Sequence, residues 1–408
     1  MDSFSTKTRP SYRWVMLIQC WLIYFCFSLV STTLSAIVTP VRNDLNLSYS
    51  QMGFILGTWQ LVYTVVAIPL GFLIDRIGTY KSFILASTII SVSAVLRSFA
   101  INFEMLTVFV ALFGIGGSMV SIGIPKVVSM WFQGKERGTA TGIYATGATT
   151  GGIAALSLTN SIVIPLAGTW RNVYLIYGFV SFLITIVWLF LGRRSHGSSD
   201  PKITTVSVKE EGLRGVREAF SKNVFLVVII GITSFLVGHG LSQWLPTILQ
   251  MNGMTVNEAG YAVSMVNIFM IFGSLLAPAL PRLVGSKKLA ISLLLLIQGI
   301  SVLTISEVGG PILWIVLALR GISGGFIPLL SLILMDLPEV SPARMGMVGG
   351  LFFATGEIGG FGGPSLMGLF KDITGTFSLG LIFLAVFCGV MIIPAVLLRV
   401  DKKPKRLI

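Results

Sequence analysis

The 408-residue chain is 54% hydrophobic and only 11% charged, with a formal net charge of +13. Soluble domains carry about a quarter charged residues, and a mean hydropathy of +0.88 excludes a chain folded around one aqueous core. The excess of basic residues falls in short loops and tails, the pattern of membrane orientation and not of a nucleic-acid-binding face.

A spanning helix needs about 20 mainly apolar residues. The polar, basic start to Arg13 leads into an apolar run too long for a signal peptide and without a small-residue cleavage site, so a first membrane helix is expected there. Twelve stretches qualify in all. In the first half they are 14–39, 53–73, 82–101, 105–130, 138–163 and 173–192. In the second they are 223–245, 259–280, 289–306, 312–335, 345–370 and 378–399. The polar segment between the halves divides the chain into a six-helix bundle over 1–192, a cytoplasmic linker over 193–222 and a second bundle over 223–408.

Between the second and third stretches the chain reads Gly71-Phe-Leu-Ile-Asp75-Arg76-Ile-Gly78-Thr-Tyr-Lys81. Gly71 lets a neighbouring backbone approach, and Gly78 permits a tight turn. Asp75 suits a cation or the positive end of a helix, while Arg76 and Lys81 mark a cytoplasmic face. With the N-terminus inside, the outer loops hold only Arg42, Arg171 and Lys371 of the 29 Lys and Arg. Both termini are therefore expected in the cytoplasm.

The halves repeat. Phe113-Gly-Ile-Gly-Gly117 matches Arg320-Gly-Ile-Ser-Gly324, and Ala145-Thr-Gly147 recurs as Ala354-Thr-Gly356. Glycines crowd the fifth stretch (Gly138, Gly142, Gly147, Gly151) and the eleventh (Gly349, Gly350, Gly356, Gly359, Gly360, Gly363). Such small faces let helices pack closely and slide.

Ionisable groups inside a bilayer are costly and read first as functional. Arg320 lies roughly 12 Å into its helix and Glu357 roughly 18 Å into the next, at 1.5 Å per residue. The two either pair structurally or handle substrate and protons directly. Arg97 stands near the outer end of helix 3, within reach of the interface, and Lys126 near the inner end of helix 4. His239 and Gln243 share one face of helix 7 beside Trp244, either as packed hydrogen-bonding groups or as substrate contacts. Three basic groups against one acid within the helices favour an anion, which needs a fixed counter-charge once desolvated. Cys20, Cys26 and Cys388 and the two distant histidines, His196 and His239, offer neither a disulfide framework nor a metal site.

The Gly71–Lys81 stretch resembles the loop between helices 2 and 3 of the major facilitator superfamily, Lys135-Glu136-Arg137-Gly138 resembles its loop 4–5 pattern, and Trp170-Arg171 its pattern before helix 6. Leu96-Arg97, Trp244-Leu245-Pro246 and Gly324-Gly325-Phe326-Ile327-Pro328 are similar to its cyanate and nitroimidazole branch. Phe113 stands where many relatives carry a helix-4 arginine, and the glycine-rich signatures of nitrate carriers are not evident. The resemblance implies an all-α membrane protein, twelve transmembrane helices in two pseudo-symmetric six-helix bundles. It implies a secondary active transporter, not an enzyme, working as a monomer by alternating access in the cell membrane without a cofactor. Arg320, Arg97, His239 and Gln243 are the expected substrate contacts and Glu357 the proton-coupling group. Gly71, Asp75, Arg76, Gly78 and Lys81 are the expected gate, with Asp75 docking near Arg344 and Met345 at the start of helix 11. The alternative is a proton-coupled exporter of lipophilic compounds. No G-x-x-x-x-G-K-[ST] loop is present for nucleotide hydrolysis.

Overall fold

The computed structural model describes residues 12–193, 221–340 and 345–400, leaving aside the side chains of 135, 346 and 347. Among the described residues every regular element is helical. In chain order the elements of the first half are α1 (Tyr12–Ala36), α2 (Val38–Asp44), α3 (Tyr49–Arg97), α4 (Phe103–Trp131), α5 (Gly134–Leu158), α6 (Ile164–Ala167) and α7 (Trp170–Leu191), with a π-helical turn, Thr159–Val163, joining α5 to α6. The second half holds α8 (Lys222–Met251), α9 (Val256–Leu276), α10 (Leu280–Val284), α11 (Lys287–Thr304), α12 (Gly310–Gly324), α13 (Ile327–Met335), α14 (Met345–Thr374), α15 (Ser378–Val390) and α16 (Ile392–Leu397). Ten helical stretches among the described residues are long and apolar enough to cross a membrane.

Three departures from the expected spans have a chemical cause in the sequence. Stretches 53–73 and 82–101 run into one 49-residue helix, interrupted at Gly78, which adopts φ 80° and ψ 159°. At 1.5 Å per residue α3 would measure about 74 Å, more than twice the roughly 30 Å hydrocarbon layer, so the left-handed glycine is where two spanning limbs meet. The expected helix 312–335 breaks after Gly324, because Pro328 cannot donate to the Gly324 carbonyl and its ring crowds it. The last stretch breaks at Met391 for the same reason, with Pro394 four residues after Val390.

Contacts group the chain into two compact units. One comprises Met1–Leu34 with Val65–Ile203, the other Ser35–Thr64 with Thr204–Ile408. The boundaries fall inside α1 and α3. In the first unit α5 lies directly on α1: a Cβ built at Gly151 would stand 2.2 Å from the Phe25 carbonyl oxygen, so only glycine permits that approach. Arg97, Tyr174 and Phe113 form part of its core. In the second unit α8 packs along α14, α9 along α12, and α11 against α15. Its core includes Val227, Leu295, Leu330, Ile333 and Phe352, all fully buried. Large apolar side chains such as Val65, Ile68 and Phe72 on α3, and Leu275 and Leu276 on α9, are exposed. Exposed apolar surface on this scale is a lipid-facing surface.

Candidate functional site

The Gly71–Lys81 loop belongs to the first unit. Asp75 finds the cation its position called for: its Oδ1 lies 3.0 Å from Lys126 Nζ on α4. Lys126, near the inner end of its helix, thus meets the loop carboxylate. Arg76 and Lys81 are exposed. Gly71 has open space where a side chain would stand. Of the two residues near which Asp75 was expected to dock, Arg344 and Met345, Arg344 lies outside the described ones.

Arg97 does not snorkel. It closes α3 with 1% of its surface exposed, and its guanidinium lies 5.1 Å from the Phe113 ring centre and 5.4 Å from that of Tyr174. Nη1 donates to the Val30 carbonyl at 3.3 Å, whereas Nε and Nη2 are buried without a hydrogen bond. Aromatic faces take the place that water was expected to fill.

The second unit assembles a polar cluster from three elements. His239 of α8 points its Nε2 at Glu357 Oε2 of α14, 3.8 Å away, and Gln60 of α3 lies with its Nε2 3.3 Å from His239 Nδ1. The three side chains converge over Gly360: a Cβ there would sit 2.7 Å from Glu357 Oε2, 3.1 Å from His239 Cδ2 and 3.2 Å from Gln60 Cγ. The His239 side chain is 29% exposed and that of Glu357 10%, so the pair opens to a space on the histidine side. Trp59 and Phe235 stand edge-on and tilted against the imidazole. One turn along α8, Gln243 Oε1 accepts from the Ser35 hydroxyl, and Trp244 Nε1 donates to the Pro364 carbonyl at 2.9 Å.

An Arg320–Glu357 ion pair is not formed. Helix α12 packs on α9 and α11 rather than on α14, so Arg320 turns toward Met270 and Cys388. It is 4% exposed, its Nε has no hydrogen bond, and no carboxylate among the described residues stands within ion-pair distance of it. His239 is the group that meets Glu357 instead.

A second feature was not anticipated from the sequence. Asp372, beyond the expected end of the eleventh span, accepts hydrogen bonds from the backbone N–H groups of Tyr49 (3.0 Å) and Ser50 (2.7 Å) and from the Ser50 hydroxyl (2.5 Å). It thereby caps the N-terminus of α3, where a carboxylate is favoured. Partial burial works against the charge, but these bonds outweigh it and hold the carboxyl below the usual aspartate range. Beside it the helices touch backbone to backbone. A Cβ on Gly53 would lie 2.4 Å from the Pro364 carbonyl oxygen, and one on Gly368 2.2 Å from that of Tyr49. In the first unit a cavity of about 400 Å³ between α3 and α7, lined by Val92, Val95, Leu175, Phe179 and Phe182, is apolar and lies on the lipid-facing side.

Long apolar helices with lipid-facing surfaces and a few buried charged groups define an integral, multi-pass α-helical membrane protein. The family model of the Major Facilitator Superfamily matches residues 20–364, and the chain belongs to that family of transporters; it is not an enzyme. A probable galactarate/D-glucarate transporter of Escherichia coli is 23% identical, with 94% of this chain and 95% of that protein covered. A probable sulfoacetate transporter of Cupriavidus necator is also 23% identical, covering 94% and 93%. A probable nitrate transporter of Staphylococcus carnosus is 25% identical, covering 88% and 89%. These names give the cyanate branch no specific support. In fold the chain is similar to the crystal structure of a bacterial homolog of the human lysosomal transporter Spinster, in its inward-facing and unoccupied conformation. That likeness has a TM-score of 0.79 at 19% identity and covers 97% of this chain and 99% of that one.

Proposed function

We propose that this protein is a secondary active transporter that carries a small organic or inorganic anion across the cell membrane by alternating access, with proton movement coupled at Glu357. The observation that carries the reading is Arg320: a guanidinium 4% exposed within the apolar span Gly310–Met335, with no carboxylate partner among the described residues. An unpaired arginine at that depth costs at least about 2.5–3.5 kcal/mol on insertion scales. A bound anion supplies the missing counter-charge. The relatives named for galactarate, sulfoacetate and nitrate support the same substrate class.

His239 and Gln243 complete the substrate contacts in this reading, and Arg97 adds positive potential from within its aromatic enclosure. Gly71, Asp75, Arg76, Gly78 and Lys81 form the cytoplasmic gate. Taking the two limbs of α3 separately and adding the 30-residue α14 to the ten qualifying stretches gives twelve spans. The covalent halves, 1–192 and 223–408, joined by 193–222, are the moving bodies, and the protein acts as a monomer with both termini in the cytoplasm. The tight packing of residues 49–57 on α14 is the closed outer end of one state. The rings of Phe235, Phe352 and Phe353, with centroids 5.3–6.2 Å apart, favour the second reading, a proton-coupled exporter of lipophilic compounds.

Uptake of D-glucarate, sulfoacetate and nitrate into proteoliposomes, beside a set of hydrophobic cations, separates the two. Saturable entry of an anion that disappears in Arg320→Gln supports the anion carrier; cation transport with no response to anions supports the exporter.

A further inference from the structure

The cluster over Gly360 contains one group that the transport reading leaves unused. Gln60 is fully buried at 0% exposure, and its Oε1 has no hydrogen-bond partner among the described residues. Its Nε2 faces His239 Nδ1 at 3.3 Å. An amide nitrogen only donates, so Nδ1 in this arrangement is the lone-pair acceptor and the neutral ring carries its proton on Nε2. That nitrogen is the one 3.8 Å from Glu357 Oε2.

We propose that Gln60 is a positioning residue for proton coupling: it fixes His239 as the Nε2–H tautomer, aims that hydrogen at Glu357, and denies the ring a second proton at Nδ1. The proposal rests on the reading of Glu357 as the proton carrier. A proton at Nδ1 would confront an N–H donor, and it is accommodated only if the amide turns over to present Oε1. While Gln60 donates, an incoming proton therefore adds to the Glu357 carboxylate: an O–H bond of hydronium breaks as one forms on the carboxyl, water is released, and the site loses one negative charge. His239 remains neutral, donating from Nε2 to whichever acceptor is present, the carboxylate or an anionic substrate. The groups around the imidazole fit this assignment. Trp59 and Gln60 face it from α3, Phe235 from α8 and Glu357 from α14, with Tyr63 within electrostatic reach of Glu357. Among the described residues Glu357 is the one charged partner of His239. Gly360 leaves the room in which the three side chains meet.

The chain has only two histidines, so His196→Gln leaves His239 as the single imidazole for solid-state nitrogen NMR on protein labelled with ¹⁵N-histidine and reconstituted in lipid. The expected spectrum shows an unprotonated Nδ1 and a protonated Nε2 between about pH 5 and pH 8, the range over which a free histidine changes charge. A protonated Nδ1 in that protein overturns the assignment without any Gln60 variant being needed. Gln60→Glu, whose carboxylate only accepts, is expected to draw a proton onto Nδ1. It is also expected to add a second ionisation to the pH profile of anion uptake, one that disappears in the double variant Gln60→Glu/His239→Gln. A Gln60 that merely packs would lower the yield of folded carrier without adding an ionisation, and that result refutes the proposal. If Glu357→Gln leaves the pH dependence of uptake unchanged while the wild-type tautomer is as expected, the proton-carrier reading fails and the Gln60 assignment stands.

Discussion

Gly53→Ala tests whether the contact between α3 and α14 is a seal that has to open. A Cβ at Gly53 would lie 2.4 Å from the Pro364 carbonyl oxygen, whereas ordinary contact begins at 3.4 Å. One helix must therefore retreat by about 1 Å, and the neighbouring Gly57, which would stand 2.7 Å from the Phe361 carbonyl oxygen, leaves little slack. Overpacking of this kind costs roughly 1–3 kcal/mol. Charged against the sealed state alone, that moves the equilibrium toward states with separated helices by about 5- to 150-fold. The assay is an electron spin-echo distance between labels at the exposed positions Asn43 and Thr376, after replacement of the buried Cys20, Cys26 and Cys388. The wild type is expected to show a short distance and Gly53→Ala a dominant longer one, with altered turnover. Gly238→Ala on α8, where nothing lies within 4 Å of the added methyl, is expected to leave the distribution unchanged. A Gly53→Ala protein with the wild-type distribution and normal transport would refute the reasoning.

Asp75→Asn, which removes the partner of Lys126, is expected to slow turnover several-fold while leaving substrate affinity nearly unchanged; the split between the two in flux kinetics checks it. Arg320→Gln is expected to abolish anion uptake and Arg320→Lys to retain only part of it, because the planar fork is lost. Equal uptake by wild type and Arg320→Gln would leave Arg320 a structural residue. Glu357→Gln is expected to keep substrate binding, measured by thermal shift, but to flatten the pH dependence of transport. The Asp372 cap has a definite sign: its carboxyl is held below the ordinary value, so the stabilisation is present above the usual aspartate range and is lost as pH falls through the lowered value. Acidifying the side of the membrane that Asp372 faces should thus lengthen the Asn43–Thr376 distance, and Asp372→Asn should make that distance insensitive to pH.

Helix identity was legible in the sequence because apolar length and the placement of Lys and Arg are local quantities. The break at Gly78 was equally legible, since a glycine between two charged residues and an apolar run announces a turn. Pro328 and Pro394 were visible too, but the length of the surrounding apolar runs outweighed them, and each splits a span that hydropathy alone makes continuous. Side-chain pairing was less accessible. The depths of Arg320 and Glu357 along their helices are similar, yet pairing depends on helix rotation and neighbours, and α12 turns its arginine away from α14. His239 could be placed on a face with Gln243, but its meeting with Glu357 required α8 and α14 to lie side by side. Gln60 carries no charge, so burial within the bilayer does not mark it as it marks an ionisable group. Its setting between Trp59 and Tyr63 in an otherwise apolar run was the available signal. Asp372 escaped because its partners, backbone N–H groups more than three hundred residues away, leave no trace in sequence.

The most direct test of the account is the lumenal pH of proteoliposomes holding the purified carrier as an anion such as D-glucarate, sulfoacetate or nitrate is added outside under an imposed pH gradient. Coupled transport predicts that at least one of these anions carries protons with it, that Arg320→Gln abolishes the movement, and that Glu357→Gln separates anion entry from proton entry. Proton movement elicited by hydrophobic cations and by none of the anions would contradict it.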